Sequence, residues 1–254
     1  MVQFPKQSAA LRARHVALIP AAGSGARMGS ATPKQYLELR GQSLLMHAIH
    51  AFQNARHIDA IAVVVAPGDD QIDRLTLPAV EGAGEGAGEA AGAGVPKFEI
   101  LRVGGATRRD SVLNGLRALR ASPFGLRDHD RVVVHDAARA GIRPHAIDAL
   151  LEALADDPIG GILALPVVDT VKRVQAGRIL KTEARETLWL AQTPQVFAAG
   201  VLQAALERHA DVSDEARALE LEGYQVRVVE GTRGNLKVTL AEDLRWLEAA
   251  WEVR

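Results

Sequence analysis

The sequence contains no cysteine, which excludes disulfides and thiolate metal sites and leaves the chemistry to other side chains. That usage fits a reducing compartment. Neither sign of charge is in excess: 30 Lys and Arg face 31 Asp and Glu, a formal net charge of -1. No global field pulls such a chain onto nucleic acid or an anionic membrane, so an anionic ligand has to be met by a local basic site. Long hydrophobic runs are also missing. The opening MVQFPKQSAALRARH has basic residues but no apolar run long enough for a signal peptide, and no later segment approaches the ~20 apolar residues of a membrane span. The expectation is a cytoplasmic protein.

With 48% hydrophobic and 24% charged residues in 254, the chain has enough apolar side chains for a substantial core. Its length fits one large α/β domain, expected here to cover 1–254. From residue 15 onward, short β-branched runs alternate with amphipathic stretches that begin after Gly, Pro, Ser or Thr. That alternation predicts a Rossmann-like, mostly parallel sheet flanked by helices. Strands are expected at 15–21, 60–66, 98–103, 131–135 and 161–165, each nearly all apolar, as befits strands buried on both faces. Helices are expected at 43–55, 108–120, 145–155, 199–209, 214–222 and 241–251. Thr239-Leu-Ala-Glu242 matches a capping box for the last of these, and Gly223 suits a helix end.

Two stretches break the pattern. Residues 81–94, EGAGEGAGEAAGAG, cannot bury enough surface to offset their ordering entropy and are expected to form a flexible surface loop. Residues 167–187 read as a projecting β-hairpin arm around the turn Gln175-Ala-Gly177. An isolated two-stranded arm is marginal in water. It is expected either to pack on a second subunit, giving a homodimer, or to fold back on its own domain.

The first strand runs into Pro20-Ala-Ala-Gly-Ser-Gly-Ala-Arg-Met-Gly29, with Pro33-Lys34-Gln35 shortly after. Small residues at Ala21, Ala22, Gly23 and Gly25 let backbone amides approach a polyphosphate, and loops at the carboxyl ends of strands are where α/β sheets bind ligands. Arg27 can fork onto phosphate oxygens, while Lys34 supplies a compact charge. The Rossmann fingerprint would need a third glycine in register and the Walker loop a Lys followed by Ser or Thr; both are missing. Further on, Val132-Val-Val-His-Asp136 ends an apolar strand in a carboxylate, the place for a hard-cation ligand or for a helix cap.

AAGSGARM followed by PKQY resembles the signature of nucleotidyltransferases that activate sugars, in particular the 2-C-methyl-D-erythritol 4-phosphate cytidylyltransferases. The resemblance runs from about residue 15 to 247, apart from the Gly/Ala/Glu loop. It includes Gly104-Gly105-Ala-Thr-Arg-Arg-Asp-Ser111, His135-Asp-Ala-Ala-Arg139, Asp169-Thr-Val-Lys-Arg173, Thr193-Pro-Gln195 and Asn235-Leu-Lys-Val-Thr239.

The resemblance implies transfer of CMP from CTP to 2-C-methyl-D-erythritol 4-phosphate in the non-mevalonate route to isoprenoid precursors, with release of pyrophosphate and with Mg²⁺ held by Asp136. It implies that Gly105, Ala106 and Ser111 hold cytosine, and that Arg27, Lys34, Arg185 and Lys237 are catalytic. Thr170 and Thr193 become hydroxyl partners of the acceptor, while Arg139 serves phosphate or fixes Asp136 by an ion pair. Thr170 and Arg185 lie in the arm, so they would serve either the site of their own chain or that of a partner subunit. Two departures stand out: some relatives carry an acid at the positions of Ala106 and of Gly234. The alternatives are a cytidylyltransferase for another polyol phosphate such as ribitol 5-phosphate, which Ala21-Ala22-Gly23 disfavours, and a nucleotide-binding module without catalysis.

Overall fold

The structure, a computed structural model, describes residues 12–23, 32–77 and 97–252. Gly25, Arg27 and the 81–94 stretch lie outside the described residues. The strands are β1 (His15–Pro20), β2 (Glu38–Leu39), β3 (Gln42–Ser43), β4 (Ala60–Val64), β5 (Lys97–Leu101), β6 (Arg131–Val134), β7 (Gly160–Pro166), β8 (Val171–Gln175), β9 (Arg178–Glu183), β10 (Trp189–Ala198) and β11 (Arg227–Glu230). The helices are α1 (Leu44–Gln53), α2 (Arg108–Ala121), α3 (Pro144–Ala153), α4 (Ala199–Arg208), α5 (Glu215–Leu221) and α6 (Ala241–Glu252).

Seven strands form the central sheet in the order β11-β7-β10-β6-β1-β4-β5. All neighbours in it are parallel except where β10 runs antiparallel to both β6 and β7. The apolar strands divide their side chains between two cores. In β1, Ala17 and Ile19 face α1 and α3, with Leu45, Ile49, Phe52, Ile147 and Leu150. Val16 and Leu18 face the other way, toward Val112 and Leu116 of α2, Leu202 and Leu206 of α4 and Leu219 of α5. Burial on both faces is what the near-continuous apolar runs require. A third, smaller cluster sets α6 on the body through Leu247, packed with Leu39, Leu44, Ala140 and Val238.

The expected strands and helices are present with ends displaced by one or two residues. The sequence pattern missed β10, β11 and the short β2–β3 hairpin. In β10 the run Gln192-Thr193-Pro194 looks like a turn, because proline has no amide to give a central strand. The register slips between Ala191 and Gln195, and this bulge takes those residues out of regular pairing. At α6, Glu242 is not the capping acid. Asp243 is, its carboxylate accepting from the amides of Thr239 at 2.7 Å and Leu240 at 2.8 Å. Gly223 follows α5 with φ of +85°, as a helix-ending glycine should.

Strands β8 and β9 form the hairpin as a separate antiparallel pair. Ala176 and Gly177 have φ of +48° and +75°, the two left-handed positions of the turn whose twist matches paired strands. Val174, Ile179 and Leu180 on the hairpin are exposed, as are Val168, Trp189 and Leu190 at its base. Among the described residues no helix is long and apolar enough to cross a membrane.

Candidate active site

Four connections leaving the carboxyl end of the sheet and its neighbourhood surround one cleft of about 460 Å³. They are residues 20–23 after β1, 104–107 between β5 and α2, 135–139 after β6, and 237–239 before α6; the turn Lys34–Tyr36 completes the wall. The segments after β1, β5 and β6 arise where a parallel strand ends and its chain must turn outward, the usual place for a ligand in such sheets.

Two glycine positions fix how the first two connections meet. A Cβ on Gly104 would stand 2.3 Å from Cβ of Ala22 and 2.8 Å from the Val65 carbonyl oxygen. Only glycine lets these backbones touch. Gln35, almost fully buried, holds the same region from the other side by donating its Nε2 to the Ala21 carbonyl at 2.7 Å. Ala21, Ala22, Gly23 and Lys34 all line the cleft.

The 104–107 turn ends in a capping box. Thr107 Oγ1 accepts the Asp110 amide at 3.0 Å and Asp110 returns a carboxylate oxygen to the Thr107 amide at 3.2 Å. Ser111 Oγ accepts the Gly105 amide at 3.1 Å and donates to the Thr107 carbonyl at 3.0 Å. The hydroxyl therefore shapes the turn. Gly105, Ala106 and Ser111 line the cleft together.

Asp136 is the electrostatic centre. Its Oδ1 accepts Arg108 Nε at 2.6 Å, its Oδ2 is 2.8 Å from Lys237 Nζ, and Arg139 Nε approaches to 3.7 Å. Burial by itself would raise its pKa; the charges of Arg108 and Lys237 overcome this and hold the carboxyl well below the usual carboxylate range. It is an anion at any working pH.

Behind it, burial pushes the His135 imidazole down to about 4, against the smaller opposing pull of Asp136 and the Arg139 carbonyl. The neutral ring donates Nε2–H to that carbonyl at 3.2 Å, so Nδ1 accepts from Thr193 Oγ1 at 3.1 Å. Thr193 Oγ1 in turn accepts the Asp136 amide at 3.0 Å.

Those expected site residues that the structure describes divide into three groups. Ala21, Ala22, Gly23, Lys34, Gly105, Ala106, Ser111, Asp136 and Lys237 come together on the cleft. Arg139 and Thr193 sit behind its wall. Arg139 Nη1 and Nη2 go to the carbonyls of Asn235 at 2.8 Å and Ala191 at 3.3 Å, and its Nε stands 3.7 Å from Asp136 as an ion pair. Thr193 is buried and spends its hydroxyl on His135 and Asp136. Thr170 and Arg185 are exposed near the arm, where Arg185 donates to the Val168 carbonyl, and neither lines the cleft of its own chain.

Sequence reasoning overlooked Arg108, Glu215, Gln35 and Asn235. Arg108 lines the cleft and turns its two Nη atoms onto Glu215, at 2.7 and 3.0 Å. A signal existed for Arg108: the Thr107-to-Asp110 capping box after a strand places it in the first turn of a helix facing the cleft. Glu215 had none, since its partner is 107 residues away.

The family model described as 2-C-methyl-D-erythritol 4-phosphate cytidylyltransferase matches residues 15–252. A protein of that name from Burkholderia multivorans is 47% identical over 242 residues, covering 93% of this chain and 95% of the relative. One from Paraburkholderia phytofirmans is 45% identical over 247 residues, covering 94% and 96%. Among solved structures, a 4-diphosphocytidyl-2C-methyl-D-erythritol synthase superposes with a TM-score of 0.77 at 34% identity, covering 95% of this chain and 100% of that one. The Francisella tularensis cytidylyltransferase gives 0.71 at 32%, covering 94% and 100%. Matched over nearly its whole length in sequence and fold, the chain belongs to the 2-C-methyl-D-erythritol 4-phosphate cytidylyltransferase family.

Proposed function

We propose that this chain transfers the CMP group of CTP to 2-C-methyl-D-erythritol 4-phosphate and releases pyrophosphate, a step in building isoprenoid precursors in the cytoplasm. The supporting observation is the gathering of Lys34, Asp136 and Lys237 around a cleft that the Gly105 turn also lines. An oxygen of the acceptor phosphate attacks the α-phosphorus, and the bond from that phosphorus to the bridging oxygen of pyrophosphate breaks. Phosphoryl transfer of this kind needs positioning and charge rather than a covalent intermediate.

Lys34 and Lys237 place compact positive charges where negative charge accumulates in the transition state. Backbone groups of the Gly105 turn read the edge of cytosine, and a site of that kind rejects bases whose donors and acceptors are reversed. Arg27 is assigned to the triphosphate from the sequence pattern alone.

The donor set fits a divalent ion such as Mg²⁺. One hard carboxylate, Asp136, faces the cleft, and no group of three His, Asp or Glu able to hold a metal occurs among the described residues. Mg²⁺ suits such a place because it takes its other ligands from water and substrate phosphates. When bound, it would neutralise charge on the triphosphate.

The exposed Val174, Ile179, Leu180, Trp189 and Leu190 support pairing of the arm with a second copy of the chain, a homodimer in which Thr170 and Arg185 reach the partner's acceptor phosphate. The function is tested by measuring pyrophosphate release from CTP, ATP, GTP and UTP with 2-C-methyl-D-erythritol 4-phosphate or ribitol 5-phosphate. Release with CTP and the erythritol phosphate alone is expected; acceptor-independent release, or a preference for ribitol 5-phosphate, would overturn the reading.

A further inference from the structure

Three cations converge on the single carboxylate of Asp136, and one of them is held from behind by a second buried carboxylate. Glu215, with a side chain 1% exposed, receives both Nη atoms of Arg108 while Arg108 Nε meets Asp136. The first turn of α5 that carries Glu215 is itself fixed to the sheet. Gln195 of β10, 1% exposed, accepts the Ala216 amide at 2.9 Å and donates to Asp214 at 2.9 Å. Asp214 also caps the helix by accepting the Arg217 amide at 3.1 Å. That anchorage fixes the backbone that carries the glutamate.

We infer that Glu215 is a positioning residue that cancels the charge of Arg108, so that Asp136 retains enough negative field to hold a divalent cation. This rests on the assignment of the cation to Asp136 given above. Without Glu215, Arg108, Lys237 and Arg139 would set three positive charges against one negative, and a divalent ion would be repelled from Asp136, the one carboxylate lining the cleft among the described residues. With Glu215 in place, the forked guanidinium is shared between two carboxylates. Its Nη atoms are turned away from Asp136 and only its Nε remains there, an arrangement lysine could not reproduce.

The test is Mn²⁺ binding in the presence of CTP, followed by the electron paramagnetic resonance of the free ion, alongside the Mg²⁺ concentration for half-maximal turnover and the unfolding temperature. Glu215→Gln should weaken Mn²⁺ binding by at least about tenfold and raise the Mg²⁺ requirement in parallel. Glu215→Asp, which keeps the charge, should stay within about threefold of wild type. In the double variant Arg108→Gln, Glu215→Gln both charges go, and Mn²⁺ should bind at least as tightly as in wild type. This double variant serves as the decisive measurement if Glu215→Gln alone does not fold, because a neutral amide pair leaves no buried charge unpaired.

A residue that merely stabilised α5 would lower the unfolding temperature and leave the metal dependence unchanged, which would overturn the inference. So would a double variant that binds Mn²⁺ more weakly than wild type. Asp136→Asn separates this from failure of the underlying assignment. If that variant binds Mn²⁺ normally, the cation does not sit on Asp136 and both fall; if it loses binding while Glu215→Gln keeps it, the role of Glu215 alone is wrong.

Discussion

The role proposed for Lys34 places its charge on turnover more than on the fold. It sits half-buried on the short turn that follows Pro33, beside the buried Gln35 that anchors the Ala21 connection. Lys34→Ala removes a preorganised charge and is expected to cut kcat by roughly 100-fold or more, measured as pyrophosphate release, with stability changed by less than about 1 kcal/mol. Gly104 is the opposite case, since its substitution acts through packing. In Gly104→Ala the new methyl would meet Ala22 Cβ at 2.3 Å, an overpacking that should cost about 1–3 kcal/mol in urea unfolding. Displacing the Ala22 connection should also raise the KM for CTP.

His135 ties the site to pH. Its folded pKa of about 4 lies below the unfolded value near 6.5, so the unfolded chain takes up a proton that the folded chain refuses. Its contribution to stability is therefore complete above about pH 6.5 and declines as the pH falls toward 4, by on the order of 3 kcal/mol in all. His135→Asn should be less stable than wild type at pH 7.5, with the gap narrowing at pH 4.5 in parallel urea titrations. A gap that widened in acid would mean the imidazole is charged in the fold.

At the scale of elements, legibility followed burial. Strands β1, β4 and β6 could be read because both of their faces are apolar and sequence runs of that kind have few other uses. Strand β10 could not, since its middle carries Gln192, Thr193 and Pro194, which serve the Asp136 wall rather than the sheet core. Strand β11 at the sheet edge is short and mostly exposed, so it offers little pattern to find. Only the neighbour β7 defines it.

The arm was legible from its turn, because Ala176 and Gly177 adopt the backbone a tight hairpin demands. Its exposed apolar face leads to a prediction at this scale. Ile179→Asp adds a charge at a position 63% exposed in the single chain, so it should leave monomer unfolding nearly unchanged. In sedimentation velocity it should shift dimer toward monomer, and turnover should fall with it. A variant that remained dimeric and fully active would show that the arm folds back on its own body.

The molecule as a whole explains why the site was only half visible in the sequence. The cleft draws on segments near residues 21, 34, 105, 136 and 237, and their motifs became recognisable through their combination and order along the chain. What the sequence hid was direction. Arg139 and Thr193 lie close to Asp136 yet point into the wall, because the carbonyls of Ala191 and Asn235 and the ring of His135 need buried donors.

The proposed homodimer would place Thr170 and Arg185 at the partner's cleft, and subunit mixing tests that arrangement. Lys34→Ala damages the cleft of its own chain, while Arg185→Ala damages the site its arm reaches. If the arm serves the partner, a heterodimer of the two variants contains one site with both defects and one site with neither. Mixing the two inactive proteins under subunit exchange should then restore about one quarter of wild-type turnover, since half the dimers are mixed and half their sites intact. If instead each arm served its own cleft, every site in every dimer would carry one lesion and mixing would restore nothing.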